Sequence, residues 1–421
     1  MKTDYNEIDE GTGYIGYQEA LDIIGANVRP VGNETFSLDR CVGRVAAADL
    51  VARVSYPSVD VSLKDGFAVK STDVVYADRR KPVFLKVAGS AFAGVRYEGR
   101  VETGDAVKIC SGAAIPGGAD AVVAGEFCEE VSPGGVAIKA DAGPGRNILR
   151  AGVEVEAGAA IAGKGENLLP GKLGLAAAAG INRVKVHRRP RVAIISIGDE
   201  VVTPGDKLHI GQLYASNLVT MEAWLSSFGI PCVTSVINDN EASIQEELKR
   251  HLPNVDAVLT SGGAWGSERD LVVGALNNLG WQMLFHHVRM GPGKGTAFGR
   301  WEKVPLFCLP GGPSSNEMAF LQLALPALLR MGGEIRHPLQ TMPARLTEDV
   351  RGRHRAWTEF KDAVVTLDGG GNYTAALYKN RSRLQAIAGA GGLICIPEGK
   401  EYLLSGDVVP VQLLRPRLDD L

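Results

Sequence analysis

The 421-residue chain lacks several features, and each absence excludes a class of function. It has only six cysteines, at positions 41, 110, 128, 232, 308 and 395, and none forms a CxxC pair. A disulfide framework or a cysteine zinc site is therefore not expected. Cys308 in PLFCLPG and Cys395 in GLICIPEG read instead as reduced thiols in apolar surroundings. There is no surplus of one charge. The 45 Lys and Arg against 48 Asp and Glu give a net charge of −3, which argues against a general nucleic-acid or anionic-membrane binder but leaves a local basic pocket open. No apolar run is long enough to span a bilayer, the stretch LGLAAAAGI at 173–181 being too short. The start, MKTDYNEIDEGTGY, is polar and acidic rather than a secretory signal, so a soluble, cytoplasmic protein is expected. None of the Gly-rich turns SGG, PGGPSS and GPGKG is a Walker A or a GxGxxG, and no internal repeat or low-complexity tract is found.

What is present is globular material rich in turn formers: 45% hydrophobic residues, 52 glycines and 21 prolines, enough for roughly two to four domains. Residues 17–50 begin as a helix, with Leu21, Ile23, Ile24 and Val28 near one face. From 66 to 147 the runs FAVKS, PVFLKVAG, AVKICSG, DAVVAGEF and GVAIKA read as short strands between Gly, Pro and Asp. Residues 148–187 are mixed, with a helix expected over 167–180. The basic run His187-Arg188-Arg189 reads as a solvated linker.

After residue 188 strand and helix alternate: RVAIISI, ASNLVTMEAWLSSF, CVTSVIN, EASIQEELKRHL, DAVLTSGG, RDLVVGALNNLG, QMLFHHVRM, VPLFCLPGG and SSNEMAFLQLALPALLRM. That alternation predicts a three-layer α/β domain with a mostly parallel sheet. Ser216 or Asn217 is the expected cap of its first helix, and Ser314 or Ser315 that of its last. In QMLFHHVRM, strand alternation sends His286 and His287 to opposite faces. Residues 336–421 return to short strands and read as a small β module.

Open α/β sheets bind ligands at the carboxyl ends of their strands. Four such ends carry unusual residues: Gly198-Asp199-Glu200, Asn238-Asp239, Ser261-Gly262-Gly263 leading on to Asp270, and Pro310-Gly311-Gly312-Pro313-Ser314-Ser315. Carboxylates converging on one rim suit a hard divalent cation with a phosphate substrate. Gly-rich turns before helices offer N–H groups to an anion, and Lys294 in GPGKG offers a positive charge. Trp265 in the third loop reads equally well as a stacking surface for a planar heterocycle or as a packing anchor. Asp60, Asp65 and Asp73 read first as turn residues, with Asp65-Gly66 as a hairpin turn.

The order of motifs along nearly the whole chain resembles the molybdopterin molybdotransferases, the MoeA-type proteins and the E domain of gephyrin. The motifs are PSVDVSLKDGFAVKSTD, GDAVKICSGAAIPGGADAVVAGE, GRNILRAGVEVEAG, RPRVAIISIGDEVVTPG, GQLYASN, VLTSGGAWGSERD, VRMGPGKGTAFG, LPGGPSSNEMAF and GLICIPEGKEYLLSGDVVPVQLL. The resemblance implies a homodimer of four-domain subunits. These would be a linker or dimerisation domain from 1–53 plus 148–187, a β module at 54–147, an α/β molybdopterin-binding domain at 188–335 and a C-terminal β module at 336–421. It also implies insertion of molybdate into adenylylated molybdopterin, with Mg²⁺ assisting release of AMP.

Carried over by motif, the catalytic residues are Asp270, Glu200 and Lys294, and the metal ligands Asp239, Asp270 and Glu200. Substrate-binding residues are Asp65, Ser111, Ser261, Gly262, Gly263, Pro310, Gly311 and Ser314. Asp65 and Ser111 would serve the partner subunit. Transient contact with other cofactor-biosynthesis proteins or molybdoenzymes is implied as well. The sequence departs from the family pattern at Trp265, Ser267, Gly291, Ile197, Gly312 and the stretch Asn380 to Arg383, with Arg381, Arg383 or Arg289 available to restore charge. These changes touch the oxyanion pocket. They leave open a paralogue that inserts tungstate or delivers the cofactor to one enzyme. A non-catalytic scaffold is a third reading, which the retained carboxylates disfavour.

Overall fold

The computed structural model describes residues 13–132, 134–262, 271–335, 338–379 and 382–414. The chain divides into two compact units, one of residues 1–33 with 187–421 and the other of residues 34–186. The first unit opens with strand β1 (Ile15–Gly16) and helix α1 (Tyr17–Asn27). Spacing four residues apart puts Ala20, Ile24 and Val28 in that unit's core.

Unit 34–186 holds a six-stranded sheet of β2 (Gly66–Val69), β3 (Val83–Ala91), β4 (Asp105–Ile109), β5 (Ala121–Ala124), β6 (Cys128–Ser132) and β7 (Gly135–Ile138). Their order is β5-β2-β4-β3-β7-β6. Strand β6 was not legible in the sequence, because CEEVS has too little apolar content. β2 is wholly buried, sending Phe67 and Val69 to one core and Ala68 to another. Asp65-Gly66 is not a hairpin turn, since β2 pairs with β4 and β5. Gly66 is needed for another reason: a Cβ there would lie closer than 3.0 Å to the carbonyl oxygen of Val123. Helix α2 (Pro170–Ala178), with proline at its first position, packs Leu173 and Ala176 into a separate core with Ile181 and Val184.

The chain then alternates as the sequence predicts: β8 (Val192–Ile197), α3 (Ser216–Ser227), β9 (Cys232–Ile237), α4 (Glu241–His251), β10 (Ala257–Ser261), α5 (Leu271–Asn278), β11 (Gln282–His286), β12 (Val288–Gly291), β13 (Ala297–Trp301), β14 (Val304–Leu309), α6 (Pro313–Ala319) and α7 (Leu325–Met331). The sheet order is β9-β8-β10-β14-β13-β11. β9, β8, β10 and β14 are parallel, and β13 and β11 continue the sheet antiparallel. Alternate residues supply its two faces. Val192 and Ile194 pack with α1, α3, α6 and α7, whereas Ala193, Ile195 and Ile197 pack with α4 and α5. Each fully buried Ile contributes roughly 1.5–3 kcal/mol. This is the expected three-layer α/β domain.

Three sequence expectations are corrected here. QMLFHHVRM is not one strand: His287 adopts φ +72°, so the chain breaks between β11 and β12. The alternation is lost, and the His286 and His287 rings stack at 3.8 Å rather than facing apart. Second, the last helix is interrupted by a π-helical segment, Phe320–Ala324. In an unbroken α-helix the Pro326 ring would meet the carbonyl of Gln322, and the wider turn relieves that clash. Third, His187-Arg188-Arg189 is not a solvated linker. Arg188 grips Asp256 through two hydrogen bonds of 2.8 and 2.6 Å, and His187 is buried.

The same unit ends in β15 (Thr341–Leu346), β16 (Thr358–Leu367), β17 (Tyr373–Leu377), α8 (Arg383–Gly389), β18 (Gly392–Ile396) and β19 (Val408–Leu413). The order β16-β17-β15-β19-β18 closes because β18 also pairs with β16, giving a five-stranded barrel. Ala344, Val365, Ile394 and Val411 help fill it. β12 and β1 extend this sheet outward from β16.

Candidate active site at the strand ends

The first three strands of the α/β domain lie in the order β9-β8-β10, so the connections diverge at β8. Such a switch point leaves a crevice beyond the strand carboxyl ends. Registers Ile197 to Ile237, Ser196 to Ser261 and Ser261 to Leu309 put four strand ends level. Beyond them lies a cavity of about 650 Å³, within the range of small-molecule sites.

Glu200 and Asp239 both line this cavity, from the loops after β8 and β9. The Asp239 N–H donates to Asp199 Oδ1 at 3.1 Å, which ties the two loops together. Ser261, Gly262 and Gly311 line it from β10 and β14. Gly262 has φ +96°, and a Cβ there would lie closer than 3.0 Å to the carbonyl oxygen of Ile197. Only glycine lets β10 turn this tightly against the end of β8.

The rim is held by two asparagines. Asn217 Nδ2 donates to Ser261 Oγ at 3.1 Å and to the Gly311 carbonyl at 2.8 Å. Asn316 Nδ2 donates to the same Ser261 Oγ at 3.0 Å and to the Pro310 carbonyl at 2.9 Å. One hydroxyl thus accepts from two helices, and both strand-end turns are pinned to it. Asn217 was expected only as a cap, but Ala215 holds the cap position of α3. Asn316 was missed. Its signal was a polar amide in an apolar helical run, a residue that must find partners when buried.

The other expected residues are placed as follows. Pro310 contributes its carbonyl to this network rather than a lining surface. Ser314 and Ser315 lie inside α6, whose cap is Gly312, so neither caps the helix. Lys294 is in the turn between β12 and β13. Because β13 runs antiparallel to β14, that turn is on the same rim, two strand spacings or about 10 Å from β10. Lys294 is not among the cavity-lining residues. Burial, His286 and then Lys294 together hold His287 down to about 4, so its imidazole is neutral at pH 7.

Arg383 of α8 reaches the rim: a Cβ on Gly312 would be 3.7 Å from its guanidinium, and neighbouring Leu384 lines the cavity. Arg289 is instead engaged with the Tyr14 carbonyl and Glu398. Asp270, Gly263, Trp265, Ser267 and Arg381 lie outside the described residues.

In unit 34–186 the structure brings two expected residues together, since Asp65 Oδ1 accepts from the Ser111 N–H at 2.7 Å. Asp60 and Asp73 are structural. Asp60 pairs with Arg150 and accepts from the Ala151 N–H, and Asp73 accepts from the Gly104 N–H.

Among the described residues no group of three or more His, Cys, Asp or Glu is placed to hold a metal. Two cavity carboxylates on adjacent strand ends nevertheless fit Mg²⁺, which takes one or two carboxylates and completes its shell with water and substrate phosphate. All six cysteines are free thiols, as expected. Among the described residues no helix is long and apolar enough to cross a membrane.

A cavity at the switch point of a parallel sheet, in a chain that also carries a separate β unit and a small barrel, defines a multidomain α/β protein with a small-molecule site at its strand ends. Residues 15–180 match the MoeA N-terminal region (domain I and II), residues 193–330 a probable molybdopterin binding domain, and residues 343–414 the MoeA C-terminal region (domain IV). Molybdopterin molybdenumtransferase 2 of Mycobacterium tuberculosis is 31% identical over 405 residues, covering 94% of this chain and 98% of that one. Molybdopterin molybdenumtransferase of Haemophilus influenzae is 33% identical over 306 residues, covering 72% and 74%. A solved structure of the molybdopterin biosynthesis MoeA protein from Pyrococcus horikoshii superposes with a TM-score of 0.79 at 27% identity, covering 95% of this chain and 100% of that one. The chain belongs to the molybdopterin molybdenumtransferase family of enzymes.

Proposed function

We propose that this protein acts in molybdenum cofactor biosynthesis by inserting molybdate into adenylylated molybdopterin, with cleavage of the adenylate and release of AMP. The observation that carries this reading is the single cavity into which Glu200, Asp239, Ser261 and Gly311 converge from four strand ends. A phosphoanhydride entering it would meet two carboxylates and be repelled unless a cation intervened. Glu200 and Asp239 are the described residues that would hold Mg²⁺, with Asp270 as a further ligand, and the bound ion would polarise the phosphoanhydride.

The chain's own groups have separate tasks. Asn217 and Asn316 fix the Ser261 and Pro310–Gly311 turns, so the substrate meets a preorganised rim. Gly262 and Gly311 let substrate approach the backbone. Lys294, from the turn before β13, and Arg383, beside Gly312, would offer positive charge near the rim for the incoming oxyanion. Asp65 and Ser111 would act on the α/β domain of the partner subunit in a homodimer, and the product would pass to other cofactor-biosynthesis or molybdoenzyme proteins.

The test is single-turnover AMP release from adenylylated molybdopterin with Mg²⁺, comparing limiting molybdate and tungstate. Molybdate-dependent release is expected, falling at least about a hundredfold in Glu200→Gln or Asp239→Asn as charge stabilisation worth several kcal/mol is lost. Wild-type rates in both variants would refute the assignment. The position of Arg383 over Gly312 favours a second reading, a paralogue tuned to another oxyanion. Release that favours tungstate would support it.

A further inference from the structure

A second cavity, of about 660 Å³, lies apart from the strand-end site and behind the helices that hold its rim. Trp224 and Phe228 of α3, Glu317 of α6, Leu339, Ile387 of α8 and Leu414 help line it. The Trp224 and Phe228 rings are nearly parallel, with centroids 6.5 Å apart. Glu317 is 7% exposed, and among the described residues its side chain receives a hydrogen bond from Trp224 Nε1 at 3.3 Å. A carboxyl in such apolar walls is costly unless it serves as a partner for something.

We propose that this cavity is a binding site for an amphipathic organic cation, a primary amine on an apolar body, with Glu317 as its anionic partner and Trp224 and Phe228 as its aromatic wall. The lining supplies both halves of such a ligand's chemistry. Aliphatic and aromatic side chains take the body, while a carboxylate beside an indole takes the ammonium. Burial, and secondarily the field of Asp362 on β16, push Glu317 up to about 7, opposed only by the Trp224 hydrogen bond. Asp362 is itself raised by burial, and no cation acts on Glu317 among the described residues. Among the described residues, neither carboxyl is given a cationic partner. The ligand would also touch the helices whose residues Asn217 and Asn316 pin the catalytic rim, and Asn316 adjoins Glu317 in sequence.

Affinity for a cation must rise as pH rises through about 7, because Glu317 gains its charge there. From pH 6 to pH 8 its ionised fraction grows about tenfold, while the amine stays protonated. The experiment is calorimetric titration of the full chain, without substrate, using 2-phenylethylamine and its neutral counterpart 2-phenylethanol at both pH values. The amine should bind about tenfold more tightly at pH 8, and the alcohol equally at both. Glu317→Gln should abolish the pH step, and Ile387→Trp, which fills the cavity from the α8 side, should block both probes. Absence of binding by either probe, equal behaviour of amine and alcohol, or a pH step that survives in Glu317→Gln would each overturn the proposal. Because no transfer chemistry is measured, failure here is separable from failure of the transferase assignment.

Discussion

Replacing Asn316 is the sharpest test of how the strand-end rim is built. Its amide makes two hydrogen bonds from a fully buried position, to Ser261 Oγ at 3.0 Å and to the Pro310 carbonyl at 2.9 Å. Leucine fills nearly the same volume and donates nothing. The Pro310 carbonyl then loses its side-chain donor at a cost of about 1–3 kcal/mol. Ser261 keeps the Asn217 amide, so its share is about 0.5–1.5 kcal/mol. Asn316→Leu should therefore cost about 1.5–4.5 kcal/mol. Urea unfolding followed by tryptophan fluorescence measures it directly. All five tryptophans lie at or beyond residue 224, within the unit that includes 187–421, so the signal reports this unit. The midpoint should fall with the slope unchanged. Asn316→Asp should cost more, since it sets a carboxylate oxygen against two acceptors. A midpoint for Asn316→Leu within 0.5 kcal/mol of wild type (about the size of an ordinary surface substitution) would refute the reasoning.

Other substitutions probe other parts of the molecule. Gly262→Ala adds left-handed strain and a clash with Ile197, so it should destabilise by about 2–4 kcal/mol and perturb the cavity in the same fluorescence assay. Gly66→Ala should lower the calorimetric transition of unit 34–186 by about 3 kcal/mol or more while leaving the tryptophan-reported transition in place. Asp256→Asn removes the partner of Arg188 and should cost about 1.5–3 kcal/mol at pH 7. Burial pushes Asp256 up, but the Arg188 guanidinium and the Arg191 N–H outweigh it and hold the carboxyl below its ordinary range. The contribution is therefore present above about pH 4 and lost as pH falls through the depressed value, so the stability gap to Asp256→Asn should close in acid. A gap that stayed constant from pH 7 to pH 3 would exclude that linkage.

The α/β layers were legible because RVAIISI, DAVLTSGG and VPLFCLPGG are apolar on both faces and punctuated by glycine. The lining of the strand-end cavity was legible where residues sit on a strand end, as at Glu200, Asp239, Ser261 and Gly311. It was not legible where a residue acts from within a helix. Asn316 and Asn217 reveal their role only once α6 and α3 are placed against β10 and β14. Similarly, nothing local in LFHHVR announces that His287 takes positive φ and ends one strand to begin another. That break depends on β12 finding its neighbours β1 and β16 at distant positions. Lys294 shows the opposite limit: the sequence offered it as a charge for an anion, and its turn is on the same rim, but it is not among the cavity-lining residues.

The sheet that joins β1, β12 and β16 also constrains synthesis. Residues Ile15 and Gly16 pair with Val288 and Arg289, so the first strand has no partner until more than 270 further residues have left the ribosome. At roughly 5–20 residues per second, that is a wait of about 14–54 s. Unit 34–186 is contiguous and emerges during that interval, so it is free to fold first. The amino-terminal strand and helix must meanwhile stay unpaired, and the nascent chain closes on itself only late, when β12 and then β16 appear. A translation pause or truncation before residue 288 would therefore leave α1 with its apolar face uncovered, which makes that face a natural ligand for a holding chaperone.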